Sequence, residues 1–239
     1  LRILRYIRFF LNYSKHDHSG NVIKIIKKNL DGFSKISSER LLDEFKKLFN
    51  SAGFLNLAND EFSYEIISLI FPQFKNIHLL KNLNKFAKEN IKNLDFIFLI
   101  SLMIIDGSDN VDYFVYKFNI SKKDQKRILF LNDSLKNNKN FNTKDLWKIL
   151  YFSGKESLLD LINFHIFISK KVDKKLVNFI DFFKDKKAPI FPLRTITLMT
   201  KYNIPEGKEL GLKLKQIEER WIENNFTISE KEVEKIINN

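Results

Sequence analysis

The sequence contains no cysteine, so disulfides, thiolate metal sites and a cysteine nucleophile are all excluded, a usage that agrees with a reducing, cytoplasmic setting. Glycine occurs only seven times and proline four times in 239 residues, which leaves few points where a helix must stop. No apolar run approaches the ~20 residues that a membrane-spanning helix needs. The longest, over 96–105, is interrupted only by Ser101, stops at Asp106-Gly107 and reads as a buried helix. Asp-x-Asp, the simplest carboxylate pair with which a metal-dependent phosphoryl transferase shares a cation, does not occur. Glycine-rich phosphate loops are missing too, Gly154-Lys155 being a bare dipeptide, and no serine stands with a recognisable base and orienting acid. Taken alone, the chain offers neither a catalytic residue nor a metal site.

What it does hold is apolar and basic. Hydrophobic residues make up 44% and aromatic ones 14%, enough for a sizeable core and too much for a disordered chain. Lysine and arginine number 41 against 29 acidic residues, a formal charge of +12 and a pI near 9.6. Such a surplus suits polyanions, nucleic acid first and an anionic membrane second, unless it is only the lysine-rich habit of an asparagine-, isoleucine- and phenylalanine-rich composition. The distribution favours a partner: residues 1–36 carry eight basic side chains and two acidic ones, half of the whole net charge.

Apolar positions recur at three and four residues throughout and no useful stretch alternates, so an all-α fold is expected, an elongated array of helices with no α/β part. The pattern predicts helices over 1–11, 22–30, 36–49, 62–71, 76–90, 94–105, 110–118, 121–135, 143–151, 155–168, 174–184, 195–202, 208–224 and 229–237. The helix over 36–49 has the best signals. Serines precede it, Glu39, Asp43 and Glu44 lie early, Lys46 and Lys47 lie late, and Leu41, Leu42, Phe45, Leu48 and Phe49 form an apolar face before Gly53, a plausible stop. Polar, asparagine-rich residues 136–143 make an internal boundary, and the two prolines in 188–192 make an extended one.

Two loops have a metal-like composition. Asp106-Gly107-Ser108-Asp109-Asn110-Val111-Asp112 lacks the closing acid of an EF-hand and reads as an interhelical turn in which Ser108 or Asp109 caps the next helix. His16-Asp17-His18 is a weak ligand pattern without further partners, and His78 and His165 stand singly within helices.

The opening decapeptide, Leu1-Arg2-Ile3-Leu4-Arg5-Tyr6-Ile7-Arg8-Phe9-Phe10, is the most strongly patterned stretch. At about 100° per residue, Arg2, Arg5 and Arg8 share an arc of about 120°, with Phe9 in it, Tyr6 at its border, and Ile3, Leu4, Ile7, Phe10 and Leu11 opposite. This is either a solvated basic face or one that contacts phosphates and bases beside an aromatic surface. The chain starts mid-pattern, without methionine, and is expected to be a fragment.

These ten residues, with Ser38-Glu39-Arg40-Leu41-Leu42-Asp43-Glu44-Phe45 some thirty positions on, resemble the neck of the bacterial, class II family of tRNA nucleotidyltransferases and poly(A) polymerases. In that family an Asp-x-Asp head precedes a Glu-Asp-x-x-Arg motif opening an arginine-rich helix, and a Glu-Arg-(Ile/Leu)-x-x-Glu motif follows. Arg2 matches the last residue of the first motif, whose Glu and Asp would lie before this chain. The resemblance implies an enzyme adding CCA to tRNA 3′ ends from CTP and ATP, or a related poly(A) polymerase, with Mg²⁺ bound in the absent head and none bound here. It further implies that Arg2 and Arg5 bind nucleotide, that Arg8 with the basic residues Lys24, Lys27 and Lys28 faces RNA phosphates, and that Glu39, Arg40 and Glu44 brace the neck. Read from the residues alone, Glu39 and Glu44 equally fit a dipole-matched surface helix.

The likeness extends with lower specificity to the end, implying a neck over 1–75, a body over 76–187 and a tRNA-binding tail over 188–239. Gly207 and Gly211 match the tail pattern, whereas Thr195-Ile196-Thr197-Leu198 stands where the family has Gly-x-Asp-Leu. The fragment alone is expected to bind RNA and transfer nothing. A stand-alone helical RNA-binding or scaffolding module is the alternative from another class.

Overall fold

The structure, a computed structural model, describes residues 1–136 and 141–238, and among them it is all-α, 74% helical with no strand. The helices are α1 (Arg2–Tyr13), α2 (Gly20–Lys28), α3 (Ser38–Phe49), α4 (Glu61–Ile70), α5 (Lys85–Asn90), α6 (Phe96–Ile104) and α7 (Asn110–Lys117). They continue with α8 (Lys122–Lys136), α9 (Thr143–Ile168), α10 (Lys174–Phe183), α11 (Thr195–Tyr202), α12 (Lys208–Glu223) and α13 (Glu230–Asn238). No helix among the described residues is long and apolar enough to cross a membrane.

The chain forms two compact units. The larger holds residues 1–139 and 159–184, and the smaller holds 140–158 and 185–239. One boundary passes through α9 between residues 158 and 159; within the same helix Gly154 takes φ 82°, a left-handed value open to glycine, and divides two helical stretches as the sequence predicts, while the boundary expected over 136–143 lies partly outside the described residues.

Phenylalanine builds the core of the larger unit. Phe45 packs edge-on against Phe71 and Phe74, with ring centroids 4.1 and 5.2 Å away, and Phe71 stacks on Phe118. Helix α6 runs through this core as expected from its apolar sequence, every residue but Ile97 being buried. Its last carbonyls are answered by Asn76, whose Nδ2 donates to Leu102 and Ile105.

Asparagine also accounts for a break that periodicity did not show. The predicted helix over 76–90 is instead a 3-10 helix (Ile77–Asn82) followed by α5. Between them Asn84 is buried, capping Ala87 through Oδ1 and donating to the carbonyls of Ile166 and Ser169 at 2.7 and 2.9 Å. These bonds require the backbone to leave the helix. Gly53 likewise does not stop α3, which ends at Phe49; its role lies in packing, described below.

Arg127 of α8 is a buried tie between three segments. It binds Asp95 before α6 through both terminal nitrogens, and Asp160 of α9 through Nε at 2.9 Å and Nη2 at 2.7 Å. Burial pushes the Asp95 carboxyl up, but the Arg127 hydrogen bond and charge outweigh it and hold the group below the usual carboxylate range.

The smaller unit has its own core of Leu198, Ile204, Leu210, Ile217 and Val233. Beside it Tyr151 donates its hydroxyl to Glu218 and sets its ring edge-on to Trp221.

Candidate nucleic-acid interface

Helix α1 docks by its apolar face, burying Leu4, Ile7 and Leu11 as the 3.6-residue pattern requires. Its C-terminal end is fixed at a close approach to a 3-10 helix (Ala52–Ala58). A Cβ placed on Gly53 would lie 2.5 Å from the Leu11 carbonyl carbon and oxygen, so only glycine lets these backbones meet. Gly53 N–H then donates to Asn12 Oδ1 at 2.8 Å, and Asn56 Nδ2 donates to the Leu11 carbonyl.

A second anchor comes from the loop after α1. His18 lies between Tyr6, whose hydroxyl meets Nδ1 at 2.8 Å, and Asp60, whose Oδ2 meets Nε2 at 2.8 Å. Its ring stacks on Phe10 at 3.5 Å and meets the Phe62 edge. Asp60 also caps α4 by accepting from Ser63 N–H. His18 is therefore a buried staple, and Tyr6, expected at the border of the arginine arc, faces this staple instead. His16 is exposed. Among the described residues no three His, Asp or Glu side chains gather where they could hold a metal ion.

With the helix fixed, its remaining face is basic and aromatic. Arg2 is exposed, and Arg5 is 54% exposed while its Nε donates to Glu44 Oε1 at 3.0 Å. Arg8 folds its guanidinium over Phe9, 4.7 Å from the ring centroid, and its Nε is buried without a hydrogen-bond partner among the described residues. Phe9 and Tyr13, both exposed, stack at 6.1 Å. Tyr13 belongs to this surface although the sequence reading passed over it; its spacing of four from Phe9 was the available signal.

The residues expected to brace α1 divide. Glu44 is buried and carries the contact, taking the place on the buried face of α3 assigned to Leu42, which is half-buried. Glu39 remains exposed, its carboxyl held low by its own backbone N–H and the Ser37 hydroxyl at the start of α3. Arg40 is exposed beside it. Glu44 Oε1 is shared with Lys47, whose Nζ lies 3.4 Å from it and 2.6 Å from Asp43 Oδ2, so Arg5 and Lys47 stand beside two carboxylates of α3.

Arg2 also lines an open cavity of about 480 Å³, with Ile3 beside it, Ile25 and Ile26 of α2, and Asn29 and Phe33 beyond. The walls are largely apolar, with a guanidinium and a carboxamide as polar groups, and the size lies within the range of small-molecule sites. Lys24, Lys27 and Lys28 are exposed on α2, which buries only Ile26. Lys27 binds Glu65 at 2.8 Å, both side chains being 48% exposed, a surface pair worth about 0–1 kcal/mol that ionic competitors can open.

The chain matches no protein-family model and no curated protein.

Proposed function

We propose that this chain is the RNA-binding and nucleotide-selecting helical part of a nucleotidyltransferase acting on tRNA 3′ ends, with the Arg2 cavity receiving the base of CTP or ATP. The observation that carries the reading is the placement of Arg2 on a base-sized, apolar-walled cavity at the end of an arginine-bearing helix. A guanidinium fork offers paired donors to the carbonyl and ring-nitrogen acceptors of a base, while the apolar walls offer contact surface to its ring. The contact from Arg5 to Glu44 supports it, because it joins the two segments on which the family resemblance rests, 39 positions apart. Arg5, Arg8 and the lysines of α2 would hold phosphates, and Phe9 with Tyr13 offers stacking surface. No step of the transfer is assigned to these residues. Mg²⁺ and its carboxylates would belong to a head domain, since the described residues offer no such cluster.

Binding of a tRNA that ends before its CCA, measured over increasing salt, tests the RNA half. Affinity is expected to fall steeply, and replacing Arg2, Arg5 and Arg8 by glutamine is expected to flatten the slope. Salt-independent binding, or arginine variants that bind as the parent does, would sink it. CTP binding tests the cavity, with Arg2→Gln expected to abolish discrimination between CTP and UTP. The gene upstream of Leu1 tests the enzyme: an in-frame Glu-Asp separated from Leu1 by a single residue, with Asp-x-Asp further upstream, is expected.

A further inference from the structure

The smaller unit holds a second cavity, of about 520 Å³, lined by Thr143, Lys144 and Trp147 of α9, Pro189, and Asn225 and Phe226 after α12. Its composition is unlike that of the Arg2 cavity: two aromatic rings and a proline ring form the apolar wall, and one cation with a hydroxyl and a carboxamide supplies the polar groups.

The backbone is held in an unfavourable form to place one of those rings. Asn225 and Phe226 take φ 56° and 63°, left-handed values that asparagine tolerates and a bulky aromatic residue does not. A glycine at 226 would end α12 without that cost, since Phe226 N–H donates to the Trp221 carbonyl at 2.8 Å, a bond any residue supplies. The side chain instead packs edge-on to Trp221 at 5.0 Å, meets Tyr151 at 5.8 Å and approaches Trp147 at 6.4 Å. Trp221 is buried and Tyr151 is bonded to Glu218, so the ring rests on a fixed support. Strain kept at a cavity wall points to use of that wall.

The charges around the cavity are uneven. Lys144 is exposed on its lining, whereas the neighbouring Asp145 accepts from Asn142 Nδ2 at 2.6 Å and is not part of the wall. A flat ring seated against Trp147 and Phe226 with a negative group near Lys144 satisfies both features. The combination is that of a nucleotide, free or within a single strand.

We propose that the cavity between Trp147, Pro189 and Phe226 binds one unpaired nucleotide, its base on the aromatic wall and its phosphate on Lys144. This site is separate from the Arg2 cavity and does not depend on what that cavity takes.

Equilibrium dialysis of the full 239-residue chain against adenosine 5′-monophosphate and against a single-stranded pentanucleotide RNA tests the proposal. Saturable binding of the mononucleotide that Trp147→Leu weakens supports a site for free nucleotide, and binding of the strand alone, weakened in the same way, supports a site for RNA; binding of neither, or binding that Trp147→Leu leaves at the parental affinity, overturns the proposal. Trp147→Leu and Phe226→Gly are each expected to weaken binding about tenfold, the usual loss for one stacked base. Lys144→Glu should weaken it further and remove its salt dependence. Phe226→Gly relieves the positive φ but gives up the packing of the ring on Trp221, so its affinity is read below its own melting midpoint. A folded Phe226→Gly variant with parental affinity would overturn the assignment. The difference between parent and Trp147→Leu isolates this cavity from the Arg2 cavity, whose lining lacks Trp147, so failure here and failure of the Arg2 reading are distinct results.

Discussion

Arg5 and Arg127 both lie in the larger unit and both reach a carboxylate from another segment, yet their settings are opposite. Arg127 is 10% exposed, uses Nε and both terminal nitrogens, and faces two aspartates, so its donors are consumed inside the protein. Arg5 is 54% exposed, meets Glu44 through Nε alone, and lies between Arg2 and Arg8 along α1. A guanidinium enclosed by acceptors can only hold the fold together. One that is anchored by a single nitrogen is positioned without being satisfied, the condition expected of a group that meets an external anion.

The sharpest way to break this contrast is to remove each arginine and compare stability with RNA affinity. Arg127→Ala is expected to cost about 3–5 kcal/mol in urea unfolding, because it takes the guanidinium away from the buried Asp160 carboxylate. Below its unfolding transition it should bind RNA as the parent does; weakened binding there would show that Arg127 is not purely structural. Gly53→Ala forces Leu11 away and is expected to cost about 1–3 kcal/mol, with RNA affinity falling as α1 loses its seat.

The acid limb sharpens the same contrast. Asp95 has a depressed folded-state pKa, so its contribution is complete above its unfolded value of about 3.9 and is lost as pH falls toward the folded one. Arg127→Gln gives up that contribution at neutral pH, so its stability should fall less steeply below pH ~4 than the parent's, as read from urea midpoints.

At the other pole, Arg2, Arg5 and Arg8 replaced together by glutamine should cost about 1–3 kcal/mol, because the buried Glu44 loses its guanidinium partner and keeps Lys47 at 3.4 Å. The slope of log affinity against log salt should shrink by about 2 on single-stranded RNA. The smallest effect belongs to Glu44→Gln, which keeps the acceptor for Arg5 and removes its charge. RNA affinity is expected to rise slightly; a fall would mean that the carboxylate charge positions Arg5 in the bound state.

Much of the fold was legible because it rests on periodicity. The all-α class, the buried α6 and the glycine break in α9 follow from apolar spacing and from glycine's access to left-handed backbone. The misses share one cause. Asn84 ends a helix by bonding carbonyls more than eighty residues away, and Gly53 matters because of Leu11, so neither role can be seen in the local sequence. At the candidate site, the arginine stripe was legible and its partition was not. Which guanidinium meets Glu44, which lines a cavity and which folds over Phe9 depends on neighbours that helix pattern does not place. Tyr6 left the expected surface for His18 in the same way.

By itself the sequence determined that this chain is helical, that its excess charge is concentrated toward residue 1, and that arginines and apolar residues occupy opposite sides of α1, since composition and a 3.6-residue period are properties of the chain alone. Only the tertiary structure decided which cations are spent within the protein and which remain at a surface or cavity. The reason is that a hydrogen bond is governed by distance in space, and residues far apart in the chain supply nearly every acceptor that separates Arg127 from Arg5.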